Sequence, residues 1–355
     1  MTAQTKSMTA GCRCGEAMAG PTVGAGFFRG LLELAVAKGA PRDALIARCG
    51  VDPALLADQD ARIPFSRYVA LMRAGKLMSG DPALGLHYGE AVDIGEVSIV
   101  GLLGRASENG IEALQQLNRF VPLIVETDNA GPNRFQITPA RGGLWLVDTR
   151  RDANDFPELT ESAFAQLICG PRRFGQAMAV KAVHVTHADT GYRAEYERIF
   201  GAPVTFEAEW NALQIDLSAG SEKLAILPRY AFGVLSEHAQ ALLESLESSK
   251  STRGRVESHL MPILHTGDAS IDRVAGKMGL SRQTLFRRLK AEGVTFVEVL
   301  DELRHRLAVH YLSGRRVSVN ETAYLVGFSD PAAFSRAFKR WTGASPRTLR
   351  EKQAA

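Results

Sequence analysis

Cysteine is scarce in this chain. The four cysteines among 355 residues are Cys12, Cys14, Cys49 and Cys169, which are too few for a disulfide scaffold of this length. A structural zinc site needs about four ligands in two tight pairs, whereas here Cys12 and Cys14 alone lie close together. We therefore expect reduced thiols, no metal site and no cofactor.

Long hydrophobic runs are also missing. No apolar run approaches the roughly 18 residues that span a bilayer, and the N-terminus has no continuous apolar core of the kind found in secretory signals. Hydrophobic residues make up 45% of the chain and charged residues 23%, an ordinary globular balance. We expect a soluble, cytoplasmic protein of two domains that does not contact the membrane.

The motifs of several enzyme classes are absent as well. The sequence has no G-x-S-x-G, no P-loop and no H-E-x-x-H. His184, His187 and Asp189 lie close in sequence, but positions three apart on a strand face opposite sides, so the two imidazoles are not expected to share an ion. We predict that the protein is not an enzyme.

Charge is divided unevenly along the chain. From Ser251 to the end there are 18 Lys and Arg against 10 Asp and Glu, a formal charge of +8, whereas the rest of the chain carries −5. A basic segment on an acidic body is expected when one domain meets a polyanion and the other does not. The C-terminal third is therefore a candidate for binding nucleic acid.

Hydrophobic spacing separates a mixed body from an all-helical end. In the body, helices are predicted at 27–38, 65–78, 111–121 and 159–169, and strands at 135–137, 144–147, 183–185, 204–206 and 213–217. We predict an α+β N-terminal domain for sensing or dimerisation, followed by an all-α DNA-binding domain. The bounds are a disordered tail at 1–25, the N-terminal domain at 26–247, a linker at 248–254 and the DNA-binding domain at 255–355.

Two features of the body leave alternatives open. A helix predicted at 230–246 carries one apolar stripe, which suits packing on its own domain and pairing with a second subunit equally well. The stripe consists of Val234, Leu235, Ala239, Leu242 and Leu246. Four aromatic residues on or near the strands either pack in the core or line an effector pocket; they are Phe135, Trp145, Tyr192 and Trp210.

An internal repeat occupies the C-terminal domain. Residues 274–290 match residues 322–339, first at an offset of 48 and then, beyond a turn, at an offset of 49. The second helix of the later unit therefore begins one residue later. Between the units, residues 296–312 predict an amphipathic spacer helix of roughly 25 Å, long enough to set two recognition helices in successive major grooves.

Each unit of the repeat has the features of a helix-turn-helix. A small residue, Ala275 or Ala323, lets the second helix cross closely, and Gly279 or Gly327 supplies the positive φ that ends the first helix. Ser281 or Asp330 is placed to cap the second helix. In the later unit, Trp341 is expected to close the core.

The second helix of each unit presents a polar face. The residues predicted to point outward are Arg282, Gln283, Phe286 and Arg287 in the first unit and Ala332, Ser335, Arg336 and Lys339 in the second. Arg can bind a guanine edge and Gln an adenine edge through two hydrogen bonds each in the major groove, while Lys and Arg hold phosphates. We therefore predict binding to double-stranded DNA.

These residues carry a family resemblance. The segment from Gly279 to Arg350 resembles the DNA-binding domain of AraC/XylS transcription regulators, including the signature A-x-x-V-G-F-x-D-x-x-x-F-x-R-x-F-K-x-x-x-G-x-x-P. The resemblance implies that the first recognition helix reads most bases. It assigns Arg282, Gln283, Thr284, Phe286 and Arg287 to base reading in the first helix and Asp330, Ala332, Ser335 and Arg336 to the second. Phe286 replaces a polar reader common in relatives, and contact with a thymine methyl is the alternative there.

The body resembles the N-terminal domain of one branch of that family, which includes regulators of ornithine and arginine use and of virulence. The resemblance spans about residues 30–225 and rests on the segments 183–187, 196–201, 203–206 and 210–213. It implies a domain that senses a small molecule or mediates pairing. From the repeat, the divided charge and the spacer helix we expect a homodimeric activator, working with RNA polymerase, whose N-terminal domain senses an unidentified small molecule. The alternative is an effector-independent regulator whose body only dimerises or contacts partner proteins.

Overall fold

The fold is described from a computed structural model. It covers residues 20–140, 142–176, 179–216, 225–313 and 317–352, so Cys12, Cys14 and Leu217 lie outside the described residues. The chain divides between Leu243 and Glu244 into two compact units, which we describe separately. Among the described residues, no helix is long and apolar enough to cross a membrane.

Helices form the first half of the N-terminal unit because their apolar residues share one core. They are α1 (Ala25–Ala37), α2 (Arg42–Cys49), α3 (Phe65–Ser79), α4 (Leu84–Ala91), α5 (Ile94–Val97), α6 (Ile99–Ala106) and α7 (Gly110–Ile124). Our tail prediction was wrong at its end: residues 22–24 form β1 (Thr22–Gly24), which pairs antiparallel with β2 (Arg62–Pro64). Backbone hydrogen bonding therefore orders the chain before residue 26.

A five-stranded sheet forms the second half of this unit. Its strands are β3 (Phe135–Ala140), β4 (Gly143–Asp148), β5 (Ala179–His184), β6 (Val204–Thr205) and β7 (Asn211–Asp216), in the order β3-β4-β7-β5-β6. One row of apolar residues crosses all five strands: Ile137, Leu146, Leu213, Val183 and Val204. Since side chains alternate across a strand, this row gives the sheet one apolar face. The predicted α+β body is confirmed.

Two helices pack on the sheet, and two glycines of α4 let that helix lie close to one of them. They are α8 (Glu158–Arg172) and α9 (Arg193–Phe200). On α4, Gly85 and Gly89 face α8, where an added Cβ on Gly89 would lie 2.2 Å from the carbonyl oxygen of Ser162. The two helices therefore approach more closely than larger side chains would permit.

The unit boundary falls inside α10 (Arg229–Lys250), and helices follow it throughout. They are α11 (Thr252–Leu260), α12 (Ile271–Lys277), α13 (Arg282–Ala291), α14 (Phe296–Ser313), α15 (Val319–Leu325), α16 (Pro331–Thr342) and α17 (Pro346–Lys352), with a 3-10 turn at Met261–Thr266. Residues 248–254, our predicted linker, hold the end of α10 and the start of α11, with Ser251 capping α11. The all-α prediction for the C-terminal region is confirmed.

Candidate DNA-binding surface and effector cavity

The sequence repeat is reproduced in the backbone hydrogen bonds of its two turns. The amide of Leu280 donates to the carbonyl of Ala275, and that of Phe328 donates to the carbonyl of Ala323, both at 2.9 Å. Gly279 and Gly327 have φ angles of +66° and +83°. The two predicted left-handed glycines are confirmed, and each ends its first helix sharply.

The recognition helices begin at the predicted caps. The Ser281 hydroxyl accepts from the amide of Thr284 at 3.2 Å, while the Asp330 carboxylate accepts from Ala332 and Ala333 at 3.0 Å each. Those two bonds lower the pKa of the Asp330 carboxyl, so the cap is charged. Because α13 begins at Arg282 and α16 at Pro331, the predicted offset of 49 is confirmed.

The first recognition helix, α13, exposes a basic face with one aromatic ring. Leu285 and Leu289 are buried, as predicted. The exposed residues include Arg282, Gln283, Phe286, Arg287, Arg288 and Lys290. The side chain of Thr284 is partly buried, and its hydroxyl forms a hydrogen bond of 2.9 Å with the hydroxyl of Ser281. Arg282 pairs with Asp272 at 3.2 Å, a contact that DNA binding would have to replace.

The second recognition helix, α16, exposes fewer groups that can read a base. Arg336 and Lys339 are exposed, as is Ala332, whose methyl offers no hydrogen bond. Ser335 is partly buried, and its hydroxyl donates to the carbonyl of Pro331 at 2.9 Å. The two helices therefore present unequal surfaces.

Sequence reasoning missed several cations on and beside these helices, including the exposed Arg288 of α13. Lys290 and Arg340 are exposed, and the repeat held a signal for Lys290, which matches Lys339. Arg304 of the spacer helix α14 had no such signal. Its guanidinium donates to the carbonyls of Val326 and Gly327 at 3.1 and 3.2 Å, and burial lowers its pKa. Arg304 thus fixes the second turn to the spacer.

Aromatic packing closes the core of the later unit. Trp341 contacts Phe328 and Phe338, with ring centroids 6.1 and 6.5 Å apart, and also stands 5.8 Å from the ring of His305. The prediction that Trp341 closes this core is confirmed.

A cavity of about 330 Å³ lies in the N-terminal unit between the helices and the sheet. Its wall includes Val100 of α6, Leu117 of α7, Ile137 of β3 and Ile215 of β7. Of the four aromatic candidates, Phe135 is the one in this wall. Trp145 and Trp210 pack on each other with centroids 5.7 Å apart, and Tyr192 donates to Glu161 at 2.7 Å.

Charged groups at the cavity are mostly paired. Asp93 bonds Arg105, whose guanidinium lies over the ring of Phe174 at 4.7 Å. Deeper in the wall, Arg134 donates two hydrogen bonds, at 3.2 and 3.1 Å, to the buried Asp148. Burial opposes ionisation of Asp148, but the charge and hydrogen bonds of Arg134 outweigh it and lower the pKa of the carboxyl.

The two histidines considered for a metal have separate partners. His184 ends β5 and accepts from the indole of Trp210 at 3.3 Å, whereas His187 lies beyond the strand and bonds the hydroxyl of Tyr196 at 3.0 Å. Within the described ranges no group of three metal-binding side chains occurs.

The tandem helix-turn-helix units define a DNA-binding transcription regulator. Residues 274–352 match a helix-turn-helix domain family, and residues 39–223 match the family described as the N-terminal arabinose-binding domain of AraC transcription regulators. The chain belongs to the AraC family of transcription regulators.

Three relatives illustrate how far the likeness extends. The ornithine utilization regulator of Pseudomonas aeruginosa is 26% identical over 90% of this chain and 94% of that protein. VirS of Mycobacterium tuberculosis is 24% identical over 86% and 89%. The transcriptional activator RhaS of Escherichia coli is 39% identical over 31% of this chain and 40% of that protein. These are regulators and not enzymes, as predicted.

Proposed function

We propose that this protein is a homodimeric, cytoplasmic transcription activator that binds a promoter through α13 and α16 and responds to a small molecule in its N-terminal cavity. The exposed basic face of α13, rigidly capped at Ser281, is the observation that carries the proposal. Activation, with RNA polymerase as the partner, is supported by the likeness to the activator RhaS. A cytoplasmic location follows from the proposed DNA target.

Within this proposal, residues 26–247 sense and dimerise and residues 255–355 bind DNA. Selection of duplexes from a random pool by the full-length chain would test the DNA-binding part. We expect one enriched motif whose affinity falls steeply as salt rises, because phosphate contacts release counterions. Binding that ignored sequence at every salt concentration would contradict the proposal.

The unequal recognition helices lead to a prediction for single residues. Arg287→Ala should cost about 1–3 kcal/mol of binding and relax the preference at one position of the selected motif. Lys339→Ala should weaken all sequences alike, because a phosphate contact carries no sequence information. Binding of each variant to the motif and its single-base variants measures both effects. Identical specificity profiles for the two variants would show that the readers are wrongly assigned.

Effector control is supported by the position of the cavity along the chain. Ile226 contributes to the cavity wall, and its amide donates to the carbonyl of Arg105 at 2.8 Å. Three residues later the chain enters α10. A ligand that contacts Ile226 would therefore act on the segment that leads directly into α10. In the alternative function the body only dimerises or contacts partner proteins.

The dimer cannot use most of the predicted stripe of α10. Leu235 packs against the core of the body and Ala239 is fully buried in it, so the interpretation as internal packing holds there. Tyr230 and Val234 are 84% and 51% exposed one helical turn apart, and we propose that a second copy covers them.

This surface makes a prediction for assembly. The double variant Tyr230→Glu, Val234→Glu should sediment as a monomer, because association would bury two carboxylates without partners. Leu77→Glu is the matched control, since Leu77 is a lone apolar residue that is 80% exposed. A dimer that survived the double variant would place the interface elsewhere.

A further inference from the structure

The cavity carries an unbalanced positive charge. Of its charged lining groups, Arg105 is paired with Asp93 and Arg134 with Asp148. Arg173 donates instead to the backbone carbonyls of Val92 and Glu90. In the part of the chain that the structure describes, no carboxylate lies within ion-pair distance of Arg173. Asp93 offsets the charge of Arg105, so Arg173, which is itself exposed to solvent, leaves the cavity with one unpaired cation.

The remaining wall offers few free hydrogen-bonding groups. The hydroxyl of Tyr88 donates to the carbonyl of Phe27 at 2.7 Å, and that of Ser162 donates to Leu159 at 3.2 Å. The side-chain amide of Gln166 lies 2.8 and 3.0 Å from the carbonyls of Val92 and Gly89, where its nitrogen can donate to both. These polar side chains are already used within the protein, and most of the other lining residues are aliphatic or aromatic.

We infer that the cavity binds an organic acid with a single anionic group and a hydrocarbon body, the anion facing Arg173 and Arg105. This inference rests on the effector control proposed above. A sugar would leave several hydroxyls without partners in the apolar wall. A diamino acid would place a second ammonium group in a cavity that is already cationic.

Volume limits the size of this acid. A cavity of about 150 Å³ holds one benzene molecule, so about 330 Å³ has room for roughly a dozen non-hydrogen atoms. Octanoate fits within that limit, and octanamide is its neutral counterpart of the same size and shape. The pair isolates the contribution of charge.

The class of ligand can be tested by calorimetry on the full-length chain with four compounds: octanoate, octanamide, arabinose and ornithine. We expect octanoate to bind at least tenfold more tightly than octanamide, and arabinose and ornithine not to bind at millimolar concentration. Tighter binding of arabinose or ornithine than of octanoate would overturn the inference. So would equal affinity for the acid and its amide.

Two variants tie the binding to this cavity. Gly104 lies in the wall on α6, and an added Cβ there meets nothing within 4 Å, so Gly104→Leu should occupy part of the cavity without unfolding the protein. The space that is left would be too small for octanoate. We expect it to abolish octanoate binding while the melting temperature stays unchanged or rises. Gly276→Leu is the control, because Gly276 is equally unobstructed but lies on α12. Octanoate binding that persisted in Gly104→Leu would exclude this cavity.

The second variant addresses the charge. Arg173→Gln should weaken octanoate binding at least tenfold and leave octanamide binding unchanged. Arg151→Gln is the control, since Arg151 is an exposed arginine outside the cavity wall. Equal loss of both ligands in Arg173→Gln would mean that Arg173 shapes the cavity and does not bind the anion.

Reporter expression separates failure of the ligand class from failure of effector control. If octanoate does not bind, but Gly104→Leu still abolishes regulation of a reporter carrying the selected motif, the ligand class is wrong and effector control stands. If no ligand binds and Gly104→Leu regulates like the wild type, both are wrong and the effector-independent function is favoured.

Discussion

Replacing Asp148 by Asn is expected to destabilise the N-terminal unit by about 3–5 kcal/mol, the usual cost of removing one partner from a buried ion pair. The Asp148 carboxylate is fully buried and accepts from Arg134 twice and from the hydroxyl of Thr160 at 3.0 Å. Asparagine keeps the shape but removes the charge. The guanidinium of Arg134 would then be left in the interior without its carboxylate.

The surroundings of the Asp148–Arg134 pair strengthen this expectation. Burial and the charge of Arg134 lower the pKa of Arg150 to about 10, although the charge of Asp148 raises it. Arg150 also donates to the carbonyls of Ala153 and Phe156 at 3.0 and 2.8 Å. Asp148 thus compensates charge on both sides, at the junction of β4 with the segment that leads into α8.

Hydrogen exchange of β4 and α8 in the full-length chain would measure the loss, because exchange reports the stability of each region separately. Asp189→Asn is the control: Asp189 is an exposed carboxylate that also pairs with an arginine, Arg193 at 3.0 Å, and exposed pairs contribute little. Equal protection in the two variants would show that Asp148 is dispensable.

The same carboxyl gives the wild type a pH dependence. Because the pKa of Asp148 is lowered in the folded state, its contribution is fully present above the unfolded value near pH 4 and is lost as pH falls through the folded value. The difference in stability between wild type and Asp148→Asn should therefore shrink on acidification. A difference in stability that stayed constant down to pH 2 would show that the charge of Asp148 is not its cause.

The starts of α13 and α16 could be predicted to the residue from sequence. Helix ends in the DNA-binding unit depend on local signals, such as the caps Ser281 and Asp330 and the glycines Gly279 and Gly327, which act on neighbouring residues. The repeat supplied a second, independent copy of each signal. The contacts of Arg304 were not predicted because its partners lie 22 and 23 residues away and nothing in the local pattern indicates them.

In the body, sequence patterns missed the elements that depend on distant packing. Helix α4, LGLHYGEA, contains two glycines that disfavour an isolated helix, yet its close contact with α8 at Ser162 stabilises it. Helix α6, IVGLLGRA, also contains two glycines and was not predicted either. The cavity wall draws on both helices and on three strands. No single window of sequence contains a site assembled from so many elements.

The second largest effect is expected from Gly327→Ala, which should destabilise the later helix-turn-helix unit by about 2–5 kcal/mol. Two costs add: a left-handed φ disfavours any residue with a Cβ by about 1–2 kcal/mol, and overpacking costs about 1–3 kcal/mol. The overpacking arises because the new Cβ would lie 2.2 Å from the carbonyl oxygen of Leu264. That oxygen belongs to backbone, so relief requires movement of the turn or of the 3-10 segment.

Gly279→Ala is the matched control, because the repeat equivalent of Gly327 has a similar φ but nothing within 4 Å of the added Cβ. It should cost only the left-handed strain, about 1–2 kcal/mol. Hydrogen exchange of α15 and α16 in Gly327→Ala, and of α12 and α13 in Gly279→Ala, measures the two losses of stability.

If the later unit mainly anchors the protein, Gly327→Ala should also weaken binding to all sequences while keeping the order of preference set by α13. A change in that order would instead give α16 an equal share in reading the sequence.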